Sequence, residues 1–590
     1  MLGLTKDSFD FTKTIGIAAF ALCIVSSFLF NLGSDIWERQ LHGPIFHLIC
    51  IIVGATVIPL WIFKRELFSI KIIDIYVLVF LGYMLCRSIK ESYPFVDPLQ
   101  FYSYLSYGII YILIRLMLKA DYLNREVISV LLIVALVNVL AVALQLFKII
   151  PLYNRMQIVS GLFVNPGLLG GFIASIIPLI LTLQISTNKA KLIKGILILI
   201  LAATLILSSS RAAFIAAIAP FIICYVPWFK IIKSKYVWVY FGIILCAAAF
   251  LIFKLYHLNP YSVQGRMLIW KVSFQMFFEK PVFGHGSDGF IANYNTYQGQ
   301  YFDSSMGTPT EKMLAGTIYT PFNEYLRISI EGGIVGIFLF SLIILQLVRV
   351  IRLVKQEFIP VFLSIFSILI FSLFSYPFAV ETNSCIFFAL LALVPSKTIY
   401  LKSFNPKVVW LIVPVFIFIS APTLRFINSI QQWRAASPMW DYNEYQALRE
   451  YNRVSSDLSS NWTFTYNYGA ELLRHGHRVE AINILTKCRK LGDNVLVNNQ
   501  LGQAYANIGH YMQSEVCFRR SANMVPGMLS QKFALFKLYE KTGNWKKYME
   551  TAMEIKKTPI KISNPEAVLI KNETQSSLLK YKKKKNEKQI

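Results

Sequence analysis

Apolar runs of helical length recur along the first 425 or so residues and then stop. A bilayer core of about 30 Å needs roughly 20 residues of helix, and lipid offers a backbone N–H or C=O no partner outside its own segment. The pattern predicts spans at 13–32, 46–63, 72–88, 99–118, 127–147, 158–184, 192–208, 212–229, 236–254, 330–350, 358–379, 383–396 and 407–424. The run 383–396 is short and opens on Asn383, while Ser208, Ser209, Ser210 and Arg211 part the runs on either side of them. Lys6 and Lys13 precede the first span, which reads as a retained helix and not a cleaved leader.

Composition agrees with that pattern. Of 590 residues, 55% are hydrophobic and 15% charged, and mean hydropathy is +0.53. A soluble domain carries about a quarter charged residues, so the missing charge belongs to chain in lipid; collagen, disorder and a disulfide scaffold are excluded. The formal charge of +26 matters through its placement. One set of alternate loops holds Lys64, Arg65 and Lys71; Lys119 and Arg125; Lys189, Lys191 and Lys194; Lys230, Lys233 and Lys235; Arg349, Arg352 and Lys355; Lys397, Lys402 and Lys407. Basic loops stay cytoplasmic, so this set and the N-terminus face inside. The long segment of about 255–325 then lies outside the cytoplasm, as does everything after about 425 if the number of spans is odd. Should 383–396 not cross, the tail moves to the cytoplasm and the long loop does not.

From about 440 the chain turns polar and a repeat emerges. Gly476, Gly509 and Gly543 keep a step of 33 and 34 residues, as do Leu472, Tyr505 and Tyr539. The spacing resembles the tetratricopeptide pattern of paired antiparallel helices, each pair burying its apolar face against its neighbours; a generic array of helical hairpins is the plainer reading. Cys488 and Cys517 fall on second helices of adjoining repeats, as buried thiols or, outside the cytoplasm, a disulfide. A lysine-rich stretch near the C-terminus reads as a disordered solvated tail, with anionic lipid as the sharper alternative. Domains are expected at 1–425 (membrane), 426–570 (helical repeats) and 571–590 (basic tail), giving an all-α polytopic membrane protein of about 12–13 spans with a soluble helical appendage.

Charges beside spans are expensive and mark function. On the outer face stand Arg211, Arg266 with Trp270, Asn323 and Glu324, and Asn165, which breaks the span 158–184 with Pro166 and Gly167. Taken singly, Arg211 could snorkel, Arg266 could serve a loop ion pair, Glu324 could pair with Arg327, and His285 in Gly284-His285-Gly286 could be a turn residue. Gly332, Gly333 and Gly336 suit close helix packing. Together, two arginines at a membrane surface suit a phosphate-bearing ligand, since guanidinium is always charged and forks onto phosphate oxygens. A lipid diphosphate-linked sugar combines that phosphate with an oily tail. Its diphosphate leaves well, so the arginines could replace a general acid, and Glu324 is the carboxylate that could serve an acceptor hydroxyl. No metal-ligand cluster, phosphate loop or nucleophile elbow is visible, and no cofactor is expected.

At these residues the chain resembles the O-antigen ligase and O-antigen polymerase family of bacterial envelope glycan enzymes. The likeness covers about 155–350 and rests on Gly161-Leu162-Phe163-Val164-Asn165-Pro166, Leu207-Ser208-Ser209-Ser210-Arg211, Gly265-Arg266 with Trp270, Pro281, Gly284 and Gly286, and Asn323-Glu324-Tyr325-Leu326 with Glu331, Gly333 and Gly336. It implies an inner-membrane protein that moves glycan from an undecaprenyl diphosphate carrier to an acceptor at the periplasmic face without a metal, its two functional arginines falling on Arg211 and Arg266. Family ligases carry a histidine before the asparagine of the last motif; here Phe322 stands there. Three readings stay open: Glu324 takes over, His285 reaches in, or the acceptor differs; Glu324 is favoured. Asn165, Asn323, His285 and Trp270 are the substrate-binding candidates. The acceptor could be lipid A-core, another repeat unit or a protein, and the appended repeats could bind a protein partner. No nucleic acid is implied. The non-enzymatic alternative is a transporter or an envelope assembly scaffold.

Overall fold

The computed structural model describes residues 6–29, 36–63, 67–90, 100–117, 125–152, 158–183, 187–225, 260–304, 306–352, 355–395, 398–402, 412–559 and 565–587. The expected span 236–254 lies outside the described residues. The chain divides into two compact units, one made of the helices up to 225 with Phe322–Tyr442, the other of the 260–321 segment with the helices from Asn443 on.

The first unit is a helix bundle around one apolar core to which nearly all its helices contribute. Gln40–Ile62, Ile72–Ile89, Arg125–Leu146, Asn188–Leu207, Glu324–Ile351 and Val413–Asp441 are long and apolar enough to cross a membrane. Lys13–Phe28, Pro166–Thr182, Arg211–Ile223, Gln356–Phe371 and Glu381–Leu393 are apolar but shorter, so the weakest expected span is among them. Among the described residues one antiparallel ladder, Leu67–Lys71 on Thr398–Lys402, interrupts the helical architecture. It joins two of the loops whose basic content placed them on one side.

The expected span 158–184 is helical only from Pro166. The irregular backbone before it is satisfied by side chains of the Arg125–Leu146 helix. Gln145 Oε1 accepts from the Ser160 and Gly161 amides at 2.8 and 2.9 Å, and Asn138 Oδ1 accepts from Leu162 at 3.1 Å. Buried in protein in this way, a broken segment is tolerated at membrane depth. A second break falls inside Glu324–Ile351, at Gly333 with φ 66° and ψ −164°. Only glycine adopts that region readily, so Gly333 serves a kink and not the close packing expected of it. Gly332, its carbonyl bonded by Tyr83 at 2.6 Å, is where another helix comes near.

In the second unit, three helix pairs follow one another: Trp462–Arg474 with Arg478–Leu491, Val495–Asn507 with Tyr511–Met524, and Leu529–Thr542 with Trp545–Lys557. Gly476, Gly509 and Gly543 sit in the turns within these pairs at φ 89°, 82° and 67°, the left-handed conformation that ends a helix. Gly469 and Gly502 let the two helices of a pair meet, since a Cβ there would lie 2.6 Å from Leu485 and Phe518. Cys488 and Cys517 are buried and free.

The domain boundaries shift in three places. Helix Ile412–Ala436 runs through residue 425, and the division falls after Tyr442. The 260–321 segment belongs with the C-terminal helices and not with the bundle: helix Gly289–Asp303 packs on Tyr511–Met524, with Gln298 Nε2 donating to the Met524 carbonyl at 2.6 Å and Asn523 to Asp303 at 2.9 Å. Finally, Pro565–Glu587 is helical where a disordered tail from 571 was expected. Ile570 and Thr574 are buried there and Leu578 packs on the same core, so apolar spacing outweighs the lysines.

Candidate functional site

In the bundle unit, three of the four sequence patterns meet. Asn165 caps the Pro166–Ile176 helix, its Oδ1 accepting from Gly167 N at 2.6 Å. That bond settles the orientation of the amide, and Nδ2 donates to the Tyr376 hydroxyl at 3.0 Å. Beyond the cap, helix 166–176 presses into two neighbours at successive glycines. A Cβ on Gly170 would lie 2.5 Å from Ser208 Oγ and 3.1 Å from Ser210, and one on Gly171 2.3 Å from the Phe371 ring. The Ser208–Ser210 turn is thus held against the helix that Asn165 begins.

Arg211 is the first residue of the next helix and is exposed. A cation there opposes the helix dipole, at a cost of about 0.3–1 kcal/mol. The same guanidinium beside a helix N-terminus is a concentrated positive potential, suited to an anion.

The third pattern is fastened to the 369–378 segment. Asn323 caps Glu324–Ile351, accepting from Leu326 N at 3.0 Å, and its Nδ2 donates to the Leu373 carbonyl at 3.2 Å. Glu324 N donates to the Ser372 carbonyl at 2.9 Å, and Tyr325 hydroxyl to Leu369 at 2.8 Å. Glu324 is 1% exposed. Its Oε1 accepts from Phe378 N at 2.7 Å, and its Oε2 takes Arg327 Nε at 2.6 Å. Arg327 also reaches Glu331 at 3.3 Å, so one guanidinium joins two buried carboxylates. This is the geometry of an anchor, the pairing with Arg327 that was the plain reading of Glu324.

Phe322, standing where family ligases carry histidine, has φ 55°, and its ring meets Tyr376 edge-on at 5.3 Å. Tyr376 thus links the Asn165 cap to the Phe322 turn. Its sequence surroundings, an apolar run, carry no signal that singles it out.

The fourth pattern lies in the other unit. Arg266 is half-buried on the helix Pro260–Glu279. Trp270 Nε1 donates to the Pro321 carbonyl at 2.9 Å, which makes it a strut closing the ends of the 270–321 segment. His285 is 2% exposed, with Nε2 donating to the Met276 carbonyl at 2.8 Å, the arrangement of a turn histidine. Lys271 meets Glu311 at 2.6 Å, and Glu311 also accepts from Thr308 N and the Tyr301 hydroxyl. Burial alone would raise the Glu311 carboxyl; these three bonds outweigh it and hold it below its ordinary value.

A bundle of helices long and apolar enough to cross a membrane is that of a multi-pass membrane protein. Residues 196–341 match the family model described as O-antigen ligase, and this part of the chain is a domain of that family. The match takes in Arg211, Arg266, Trp270, His285, Asn323 and Glu324, while Asn165 falls outside it. It ties the chain to glycan transfer. Comparison with curated protein sequences finds no match.

Proposed function

We propose that the protein transfers glycan from an undecaprenyl diphosphate-linked donor to an acceptor hydroxyl at the periplasmic face of the inner membrane, the acceptor being lipid A-core, glycan or protein. The observation that carries this reading is the meeting of Asn165, the Ser208–Ser210 turn that leads into Arg211, and Asn323-Glu324 on one scaffold. The O-antigen ligase domain supports it, and the repeat-like helical pairs, read as tetratricopeptide units, add a surface for a protein partner.

In this mechanism the acceptor oxygen attacks the anomeric carbon as its bond to the diphosphate breaks, with inversion. The electron pair leaves with the diphosphate, and the Arg211 guanidinium offsets the developing charge without a metal, the role that the family resemblance also gives Arg266. The departing diphosphate takes the acceptor's proton. Glu324, both of whose oxygens are engaged, passes from the expected base to a positioning role. Asn165 Nδ2 donates to the Tyr376 oxygen and so fixes the cap and the tyrosine against each other beside the Phe322 turn.

The test uses purified full-length protein in nanodiscs with a lipid-linked oligosaccharide. Arg211→Ala and Arg266→Ala should each lower transfer about 100- to 1000-fold while leaving the protein folded. Transfer unchanged in both variants would return the chain to the transporter or scaffold reading.

A further inference from the structure

The helix Pro260–Glu279 is apolar on two opposite faces. One face is buried within its own unit through Leu268, Ile269, Val272 and Met276. The opposite stripe is open: Met267, Phe274 and Phe278 are 52%, 50% and 72% exposed, and the turn beyond adds Val282 and Phe283. Steps of seven and four residues put the first three on one line of a helix. A contiguous exposed patch of this kind marks a surface that something covers.

We propose that this stripe is a lipid-binding surface that rests in the boundary between headgroups and acyl chains of the bilayer. Three observations select lipid. Among the described residues six helices are long and apolar enough to cross a membrane, so a bilayer is the chain's constant neighbour. The apolar run 236–254 ends six residues before Pro260, a tether of about 20 Å when fully extended. Beside the stripe, Lys271 pairs with Glu311 at 2.6 Å and the exposed Lys280 follows Glu279 at the helix end, lysines of the kind that suit anionic headgroups. Arg266, at the edge of this stripe, is thereby held at the depth of lipid phosphates.

The inference is tested with the full chain in nanodiscs of phosphatidylethanolamine and phosphatidylglycerol. A benzophenone amino acid replaces Phe278, Phe274 or, as control, Val516, which is 64% exposed on the Tyr511–Met524 helix. Irradiation should yield lipid adducts at 278 and 274 severalfold above those at 516. Equal yields at the three positions, or cross-links from 278 and 274 to other segments of the chain in place of lipid, would overturn it.

Discussion

Asn165 Nδ2 lies 3.0 Å from the Tyr376 hydroxyl, across 211 residues of sequence. A helix cap and a turn between two helices are thereby coupled through one hydrogen bond. Removing the phenolic oxygen leaves the amide short of a partner, a loss of about 1 kcal/mol. Tyr376→Phe should accordingly remain folded and raise the KM for the lipid-linked donor roughly tenfold, with the KM for the acceptor unchanged. Steady-state kinetics with each substrate varied in turn checks this, and an equal rise for both substrates would make the hydroxyl purely structural.

Glu324→Gln sets an amide N–H₂ beside the Arg327 guanidinium and leaves Glu331 as the remaining carboxylate. Removing one member of a buried ionic cluster costs about 3 kcal/mol. The thermal midpoint in detergent should drop, and transfer should fall with the folded fraction while its pH profile keeps its shape. A well-folded variant with an altered pH profile would restore Glu324 as the base.

Gly333 holds φ 66° and ψ −164°, a region closed to side chains. Gly333→Ala should cost about 1–3 kcal/mol or straighten the helix that begins at Glu324. Thermal unfolding of the two proteins side by side measures it; a midpoint unmoved by the alanine would mean the kink is not needed.

The Glu311 carboxyl is held below its ordinary value, so the folded form gives up its proton more readily than the unfolded one. Its contribution is complete above about pH 4.3 and fades as pH falls through the depressed folded value. Lys271 is half exposed, which limits that contribution to about 1 kcal/mol. Glu311→Gln should weaken protection of the 260–321 segment from protease at pH 7 and flatten its loss of protection on acidification below pH 5.

Much of the bundle was legible because helix length and apolar runs report directly on lipid, and the turn glycines of the helical pairs announced themselves by their spacing. The candidate site was legible only where it carries charge, breaks a span or caps a helix: Arg211, Asn165 and Asn323. Tyr376, Gln145 and Asn138 escaped notice because each sits in an apolar run and acts on backbone or side chains far along the chain. Glu324 and His285 looked chemical in isolation; their partners, Phe378 N and the Met276 carbonyl, are main-chain groups that no residue pattern displays.

Gln298 finds its carbonyl at Met524, 226 residues later. At ordinary rates of synthesis, the ribosome needs about 10–45 s to cover that distance. For most of that interval Ile291, which ends up among Trp462, Leu485 and Leu501, waits for those partners. A nascent chain halted before residue 500 should therefore show this stretch as a target for chaperones and proteases, and a stop codon that removes the last helical pairs should cripple a segment encoded long before it.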